Sequence, residues 1–346
     1  MENIDPVELL KRQYLQLVNP EQLALPSKEL LRLPDTQAQI FDSIFDESAL
    51  KYSPPKRYKF RVLKRLVGAL EEAIEDPEED EVSDDISGCL AQYSAQPLPS
   101  ASAAAQQKSY VTYTAPIASP EASQITTLEA PSLLASSGTT GFRTWEAALF
   151  LGAYLSSETG NHYVAGRRIF ELGAGTGFLS ILCAKLLGAR YVLATDGSSE
   201  VVTDIKTNLD LNKLEEEGLI KTAVLEWGHT LISGPVDSRG EGLSYDLVIG
   251  ADVTYDIKSM PALIATIRDF FELYANLKVL ISATRRNEET IQHFLAACQT
   301  NGFEIQQLDV PMPKASEQIG FFHPTSTSIQ IFLITNQGIG RDPFAS

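Results

Sequence analysis

The chain has 346 residues, 44% hydrophobic and 21% charged, with a formal net charge of −17. That length calls for a catalytic-size domain with an appendage, and the composition excludes a chain disordered throughout. The acidic balance excludes non-specific nucleic-acid binding, which needs clustered Lys and Arg to neutralise phosphates, so no direct nucleic-acid partner is expected.

The three cysteines, Cys89, Cys183 and Cys298, are far apart with no CxxC spacing, and read as free thiols in a reducing compartment. The sequence opens Met-Glu-Asn-Ile-Asp without the basic and apolar regions of a signal peptide. The apolar run at Ala147–Leu155 is about half the roughly 20 residues of a membrane span. A cytoplasmic chain away from membranes is expected, and it is taken as a monomer.

From residue 6 to about 75, apolar residues recur at three-and-four spacing, as in Val7, Leu10, Tyr14 and Val18 and again in Ile40, Phe41, Ile44 and Phe45. This predicts a small helical domain over 1–75. Residues 76–108 gather acids with Ser, Ala, Pro and Gln, and are expected to be a linker too poor in apolar surface to offset backbone entropy. Tyr110–Tyr113 alternates like a short strand and Ile125–Leu134 resumes a mixed pattern, so the second domain is expected to span 109–346.

Beyond residue 138 strands and helices alternate. Helices are expected at Ala147–Ser156, Leu179–Leu187, Glu200–Asn212 and Glu288–Gln299, and strands at Arg168–Leu172, Tyr191–Thr195, Thr222–Glu226, Leu247–Ala251 and Val279–Ala283. Strands apolar on both faces belong to a parallel sheet covered on both sides. Glu304–Val310 and Ile329–Thr335 are expected to form an antiparallel hairpin at its edge. The fold class is therefore α/β, a doubly wound Rossmann-like sheet with a C-terminal antiparallel hairpin behind a small helical N-terminal domain.

The run FELGAGTGF ends a strand at Glu171 and places Gly173, Gly175 and Gly177 in the turn before the next helix. Such a turn lets backbone approach a ligand at the carboxyl edge of the sheet. Phe178 stands where a dinucleotide turn needs its third glycine, and no P-loop lysine follows, so nicotinamide, flavin and nucleotide triphosphate are disfavoured. What remains is the ExGxGxG turn of class I methyltransferases, with Glu171 placed for the ammonium of a methionine moiety. Asp196 ends the next strand 23 residues after Gly173, near the offset at which an acid meets ribose hydroxyls. Trp227, after a further strand, would offer an aromatic face to adenine, although a tryptophan there serves equally as core.

The segments SGTTGFRTWEAALFLGAYL (137–155), FELGAGTGFLS (170–180), ATDG (194–197), EWG (226–228) and ADVTYD (251–256) together resemble the seven-β-strand protein-lysine methyltransferases. Within them the chain looks most like the fungal and animal enzymes that act on elongation factor 2, where GTTG followed by TW[DE]AA is a local hallmark. The resemblance covers about 130–340 and implies S-adenosyl-L-methionine as cofactor and a protein, elongation factor 2, as partner. It implies that Trp145 and Trp227 line the cofactor pocket, that Gly173, Ala174 and Gly175 pass beneath the methionine part, and that Asp196 holds the ribose. Ala251 would then border the methyl donor. Asp252 and Tyr255 match the family's DxxY motif and are implied as the catalytic pair, since a carboxylate and a phenol can accept hydrogen bonds from an amine and fix its direction. Without the resemblance, Asp252 reads equally as a capping acid and Tyr255 as a packed loop aromatic.

The motif lacks the Asn/Asp-Pro-Pro-Tyr signature of enzymes that modify amide or nucleobase nitrogens. Four histidines without HxxxH or HxxE spacing give no metal site. Other targets remain open, such as a chaperone, another elongation factor or a small amine, as does a non-catalytic adaptor on the same fold.

Overall fold

A computed structural model describes residues 4–117, 123–131, 140–215, 218–229, 244–274 and 276–336. The chain divides into two compact units. The first is built from residues 1–116, 120–134 and 318–322, and the second from 117–119, 135–317 and 323–346.

The first unit begins with α1 (Pro6–Leu15), whose start is set by Asp5 accepting the Glu8 N–H at 3.2 Å and by Pro6 in the first turn. Short helices α2 (Lys28–Leu31) and α3 (Pro34–Ile40) lead to the long helix α4 (Lys56–Glu71). Val62, Leu63, Leu66, Val67 and Leu70 make the buried stripe of α4, packed with Leu10, Tyr14, Ile40 and Ile44 in one helical core. Two further helices, α5 (Asp84–Ala95) and α6 (Ala101–Gln106), precede a hairpin of β1 (Ser109–Thr114) and β2 (Gln124–Glu129), paired antiparallel from Ser109 opposite Glu129 to Thr114 opposite Gln124.

The expected linker over 76–108 is therefore corrected. Helix α5 anchors itself through Ile86 and Tyr93, seven residues apart on one face and both buried in the helical core. The Tyr93 hydroxyl donates to Glu47 at 3.0 Å, and Gln37 receives the Ser83 N–H at 2.8 Å while donating to the Glu81 carbonyl at 3.0 Å. Two well-placed apolar anchors and a few side-chain bonds hold a segment whose average composition is polar. The hairpin also groups with the helical unit and not with the second one. The chain returns to the first unit once more at Gln318–Phe322, where Arg12 donates to the Ile319 carbonyl at 3.0 Å and Gln16 to that of Phe322 at 2.6 Å.

The second unit runs α7 (Glu146–Leu155), α8 (Glu158–Asn161), β3 (Arg168–Leu172), α9 (Phe178–Lys185), β4 (Tyr191–Asp196), α10 (Ser199–Leu211), β5 (Ile220–Val224) and β6 (Leu247–Ala251). It continues with α11 (Met260–Leu273), β7 (Lys278–Thr284), α12 (Glu288–Thr300), β8 (Phe303–Gln307) and β9 (Ile329–Asn336). Its seven-stranded sheet has the order β5-β4-β3-β6-β7-β9-β8. The first five strands are parallel, and β9 and β8 close the sheet antiparallel, as the hairpin expectation required.

Strand β3 pairs with β4 on one side and β6 on the other, so the strand order reverses there and opens a crevice beyond the carboxyl ends. Helix α11 was not foreseen, yet Leu263, Ile264, Ile267, Phe270 and Phe271 give it a buried helical stripe behind Pro261. A parallel β6–β7 pair needs such a crossover.

Candidate active site

Most site residues sit where a strand ends, and Trp145 comes from the segment before α7. Leu172 closes β3 and hands over to Gly173, which has φ +62°, and a Cβ at that position would stand 3.0 Å from Val253 and 3.4 Å from Trp227. Only glycine keeps that cleft open. Gly177 has φ +78° and caps α9, where a Cβ would stand 2.9 Å from Ile205. It shapes the helix start and, unlike the other predicted residues, is absent from the cavity wall.

The cavity at the switch point has a volume of about 680 Å³ and brings together Trp145, Glu171, Gly173, Ala174, Gly175, Asp196, Trp227, Ala251, Asp252 and Tyr255. These come from residues more than a hundred positions apart, gathered because parallel strands deliver all their carboxyl ends to one edge. Ser137–Thr139, the first part of the SGTTG motif, lie outside the described residues.

Glu171 is 2% exposed and accepts a hydrogen bond from the Ser180 hydroxyl. Burial pushes its carboxyl up to about 8, against the opposing pull of the Ser180 hydroxyl and N–H. Asp196 accepts the Gly175 N–H at 3.2 Å and the Ser198 N–H at 3.0 Å, so its carboxylate buttresses the glycine turn while facing the cavity. Burial raises its carboxyl as well, and the backbone donors hold it back.

Asp252 has φ +52°, a left-handed conformation that side chains other than Asn and Asp seldom take. Its N–H donates to the Ser282 carbonyl at 2.8 Å, which keeps the residue tied to β7 at the end of the sheet. The carboxylate accepts the Thr284 N–H at 2.8 Å and the Thr284 hydroxyl at 2.9 Å, with the Arg286 guanidinium 3.6 Å away. Burial raises its carboxyl, and Thr284 and Arg286 pull it down. Tyr255 is 61% exposed at the cavity mouth, a position open to an incoming side chain.

Trp145 precedes α7 and donates its indole N–H to the Thr140 carbonyl at 3.0 Å. The guanidiniums of Arg143 and Arg286 lie 4.3 and 4.9 Å from its ring centre, and Glu146 binds both, at 2.9 and 3.1 Å. Thr284, Arg286 and Arg143 escaped the reading of the sequence. The signal for the first two was their place at the carboxyl end of β7, which Thr284 closes and Arg286 follows two residues on. Among the described residues no group of acidic, His or Cys side chains is arranged for a metal, and no helix is long and apolar enough to cross a membrane.

Residues 134–301 match the family described as lysine methyltransferase. Over 321 residues, 92% of this chain and 94% of the relative, the sequence is 44% identical to the protein-lysine N-methyltransferase EFM3 of Chaetomium thermophilum. It is 34% identical to EFM3 of Saccharomyces cerevisiae over 60% of this chain and 65% of that one. It is 30% identical to the EEF1A lysine methyltransferase 3 of Xenopus tropicalis over 43% of this chain and 60% of that one. A cavity of this size with a side-chain-free floor, an indole wall and two acids suits S-adenosyl-L-methionine, the methyl donor this chemistry uses. This chain therefore belongs to the lysine methyltransferase family, as a protein-lysine N-methyltransferase dependent on S-adenosyl-L-methionine.

Proposed function

We propose that the enzyme methylates a lysine of elongation factor 2 in the cytoplasm, with the second unit carrying the chemistry and the first unit docking the substrate. The observation that carries this reading is the set of motifs GTTG, TWEAA, ATDG, EWG and ADVTYD, which resembles the enzymes acting on that factor. Elongation factor 1A is the second reading, favoured by the name of the Xenopus relative.

In this reading Asp196 accepts from the ribose hydroxyls, Trp227 and Trp145 flank the adenosine, and Gly173 to Gly175 and Ala251 lie along the methionine part. Glu171, which holds a proton in the cofactor-free protein, ionises against the arriving methionine ammonium and balances it. S-adenosyl-L-methionine supplies a methyl group on a sulfonium. A free lysine has a pKa near 10.4, so its neutral amine costs roughly 4 kcal/mol at pH 7.4. The desolvated cavity disfavours the charged form, and the displaced proton leaves to solvent. Asp252 and Tyr255 accept hydrogen bonds from the amine and aim its lone pair, a positioning effect that can lower a barrier by several kcal/mol.

The test is incubation of the protein with radiolabelled S-adenosyl-L-methionine and an extract lacking its own activity. A single labelled band of the size of elongation factor 2 is expected, and a band only at elongation factor 1A would replace that substrate with the second reading.

A further inference from the structure

Asp252 creates an electrostatic conflict for the reaction. A carboxylate beside the substrate amine attracts it most strongly as an ammonium, the form with no lone pair to transfer. The surroundings of Asp252 contain an answer. Arg286 stands directly after β7 with its guanidinium 3.6 Å from the Asp252 carboxylate and 3.1 Å from that of Glu146, and it rests on the Trp145 ring. Asp252 is the more buried partner, with its side chain 12% exposed against 50% for Arg286. The guanidinium thus approaches from the solvent side of the acid, where a substrate chain would also arrive.

The charged groups facing this point are few among the described residues. Glu146 and Arg143 come from the start of α7, Asp252 from the end of β6 and Arg286 from the end of β7, while Arg285 pairs away with Glu288. Two acids and two guanidiniums give a rim that is neutral in sum. Tyr255 and Thr284 add uncharged hydroxyls.

We propose that Arg286 acts through Asp252 as a positioning residue that makes the site select the neutral amine of the substrate lysine. Its guanidinium cancels the field of the acid without occupying all of its acceptor capacity. Asp252 can then orient an amine without holding it as a salt. This rests on the assignment of Asp252 to the substrate amine, and it adds a source for part of the deprotonation that a site with no dedicated base requires.

Two substitutions move the rim charge in opposite directions. Arg286→Gln leaves it one unit negative and Glu146→Gln one unit positive. The pKa of the amine bound to the enzyme should rise in the first and fall in the second, by about half a unit to one unit for a partly screened charge at this range. In the full-length enzyme acting on unmethylated elongation factor 2, the kcat profile reports the bound amine and the kcat/KM profile the free reactants. For Arg286→Gln the limb of kcat moves to higher pH, giving a three- to tenfold loss at pH 7.5 that recovers by about pH 9.5, while the limb of kcat/KM stays in place. Glu146→Gln moves the kcat limb the other way.

A second measurement does not depend on which protein is the substrate. With S-adenosylhomocysteine bound, n-butylamine reproduces the lysine side chain, and the pH dependence of its affinity gives the pKa of the bound amine. Opposite shifts in the two variants support the proposal. A loss of the same factor at every pH, or equal amine pKa values in wild type and both variants, would overturn it. Absence of amine binding to the wild-type complex, or amine binding that Asp252→Ala leaves unchanged, would instead overturn the placement of the amine at Asp252, and the proposal with it.

Discussion

Thr284 donates both its backbone N–H and its hydroxyl to Asp252, one to each carboxylate oxygen, at 2.8 and 2.9 Å. The paired bonds fix the plane of the carboxylate and favour its ionised form against burial. Thr284→Val keeps the shape and the N–H but removes one donor, a loss of about 1 kcal/mol or somewhat more. The expected result is a kcat lowered roughly tenfold with unchanged affinity for S-adenosylhomocysteine, and recovery in Thr284→Ser. An unaltered kcat in the valine variant would remove Thr284 from the site.

Asp252→Ala should abolish methylation while changing cofactor affinity little, because its partners Thr284 and Arg286 belong to the end of β7, separated by β3 and β6 from the β4 strand that Asp196 ends. Equilibrium titration with S-adenosylhomocysteine and single-turnover methylation separate the two effects. A variant that keeps most of its turnover would refute the role of this carboxylate.

Asp196→Ala should weaken cofactor binding by about 1.5–3 kcal/mol for a charged acceptor lost to the ribose. Asp196 also receives the Gly175 N–H, so part of that loss arises from a looser glycine turn. Asp196→Asn retains an acceptor for the turn, and calorimetry on both variants apportions the effect. Equal affinity in folded alanine variant and wild type would take Asp196 out of the pocket.

Glu171 makes the stability of the cofactor-free protein depend on pH. Its folded carboxyl is raised to about 8, above the value near 4.3 of an unfolded chain. Between those values the folded state holds a proton that the unfolded state has released, so stability is fully present below about pH 4.3 and lost as pH rises through 8. The loss is on the order of 3–5 kcal/mol across the window. Asp196 and Asp252, also raised, add the same sign at the acidic end. Glu171→Gln should remove most of the decline between pH 6 and 8 in thermal unfolding, and a parallel decline in that variant would assign it elsewhere.

The strands of the second unit were legible because parallel strands buried on both faces are short apolar runs, and the residues that follow them inherit a common edge. Leu247–Ala251 and Arg168–Leu172 were expected with their observed bounds. One wall of the cavity followed from there, since Glu171, Gly173 and Asp196 are local to a strand end. Arg286 and Thr284 were not legible, because their importance lies in where β7 stands beside β6, a neighbour relation that no local spacing encodes. Helix α5 was hidden for the opposite reason, in that Ile86 and Tyr93 are two apolar anchors diluted among acids and serines.

Deletion of residues 1–75 should abolish methylation of a folded protein target, because specific protein complexes typically bury about 1,200–2,000 Å² and the residues around one lysine supply little of it. All the cavity residues belong to the second unit, so cofactor binding is expected to persist in whatever folds. The deletion also strips cover from Ile86 and Tyr93, which share a core with Leu10, Leu63 and Leu66, so a lowered melting temperature is expected and does not itself report on docking. A surface variant separates the two. Arg61 and Lys64 are exposed on α4, outside its buried stripe, in a chain that is otherwise strongly acidic. Reversing both, Arg61→Glu with Lys64→Glu, leaves the buried stripe in place and removes the 3.5 Å Arg61–Asn19 bond and the Lys64 contact 5.8 Å over the Phe60 ring, so melting temperature and S-adenosylhomocysteine affinity should change little while KM for the protein target rises several-fold. Its sensitivity to salt should fall as well, since exposed charges act at long range only when unscreened. Full activity of the truncated enzyme together with an unchanged KM in the charge-reversed one would sink the docking role of the helical unit.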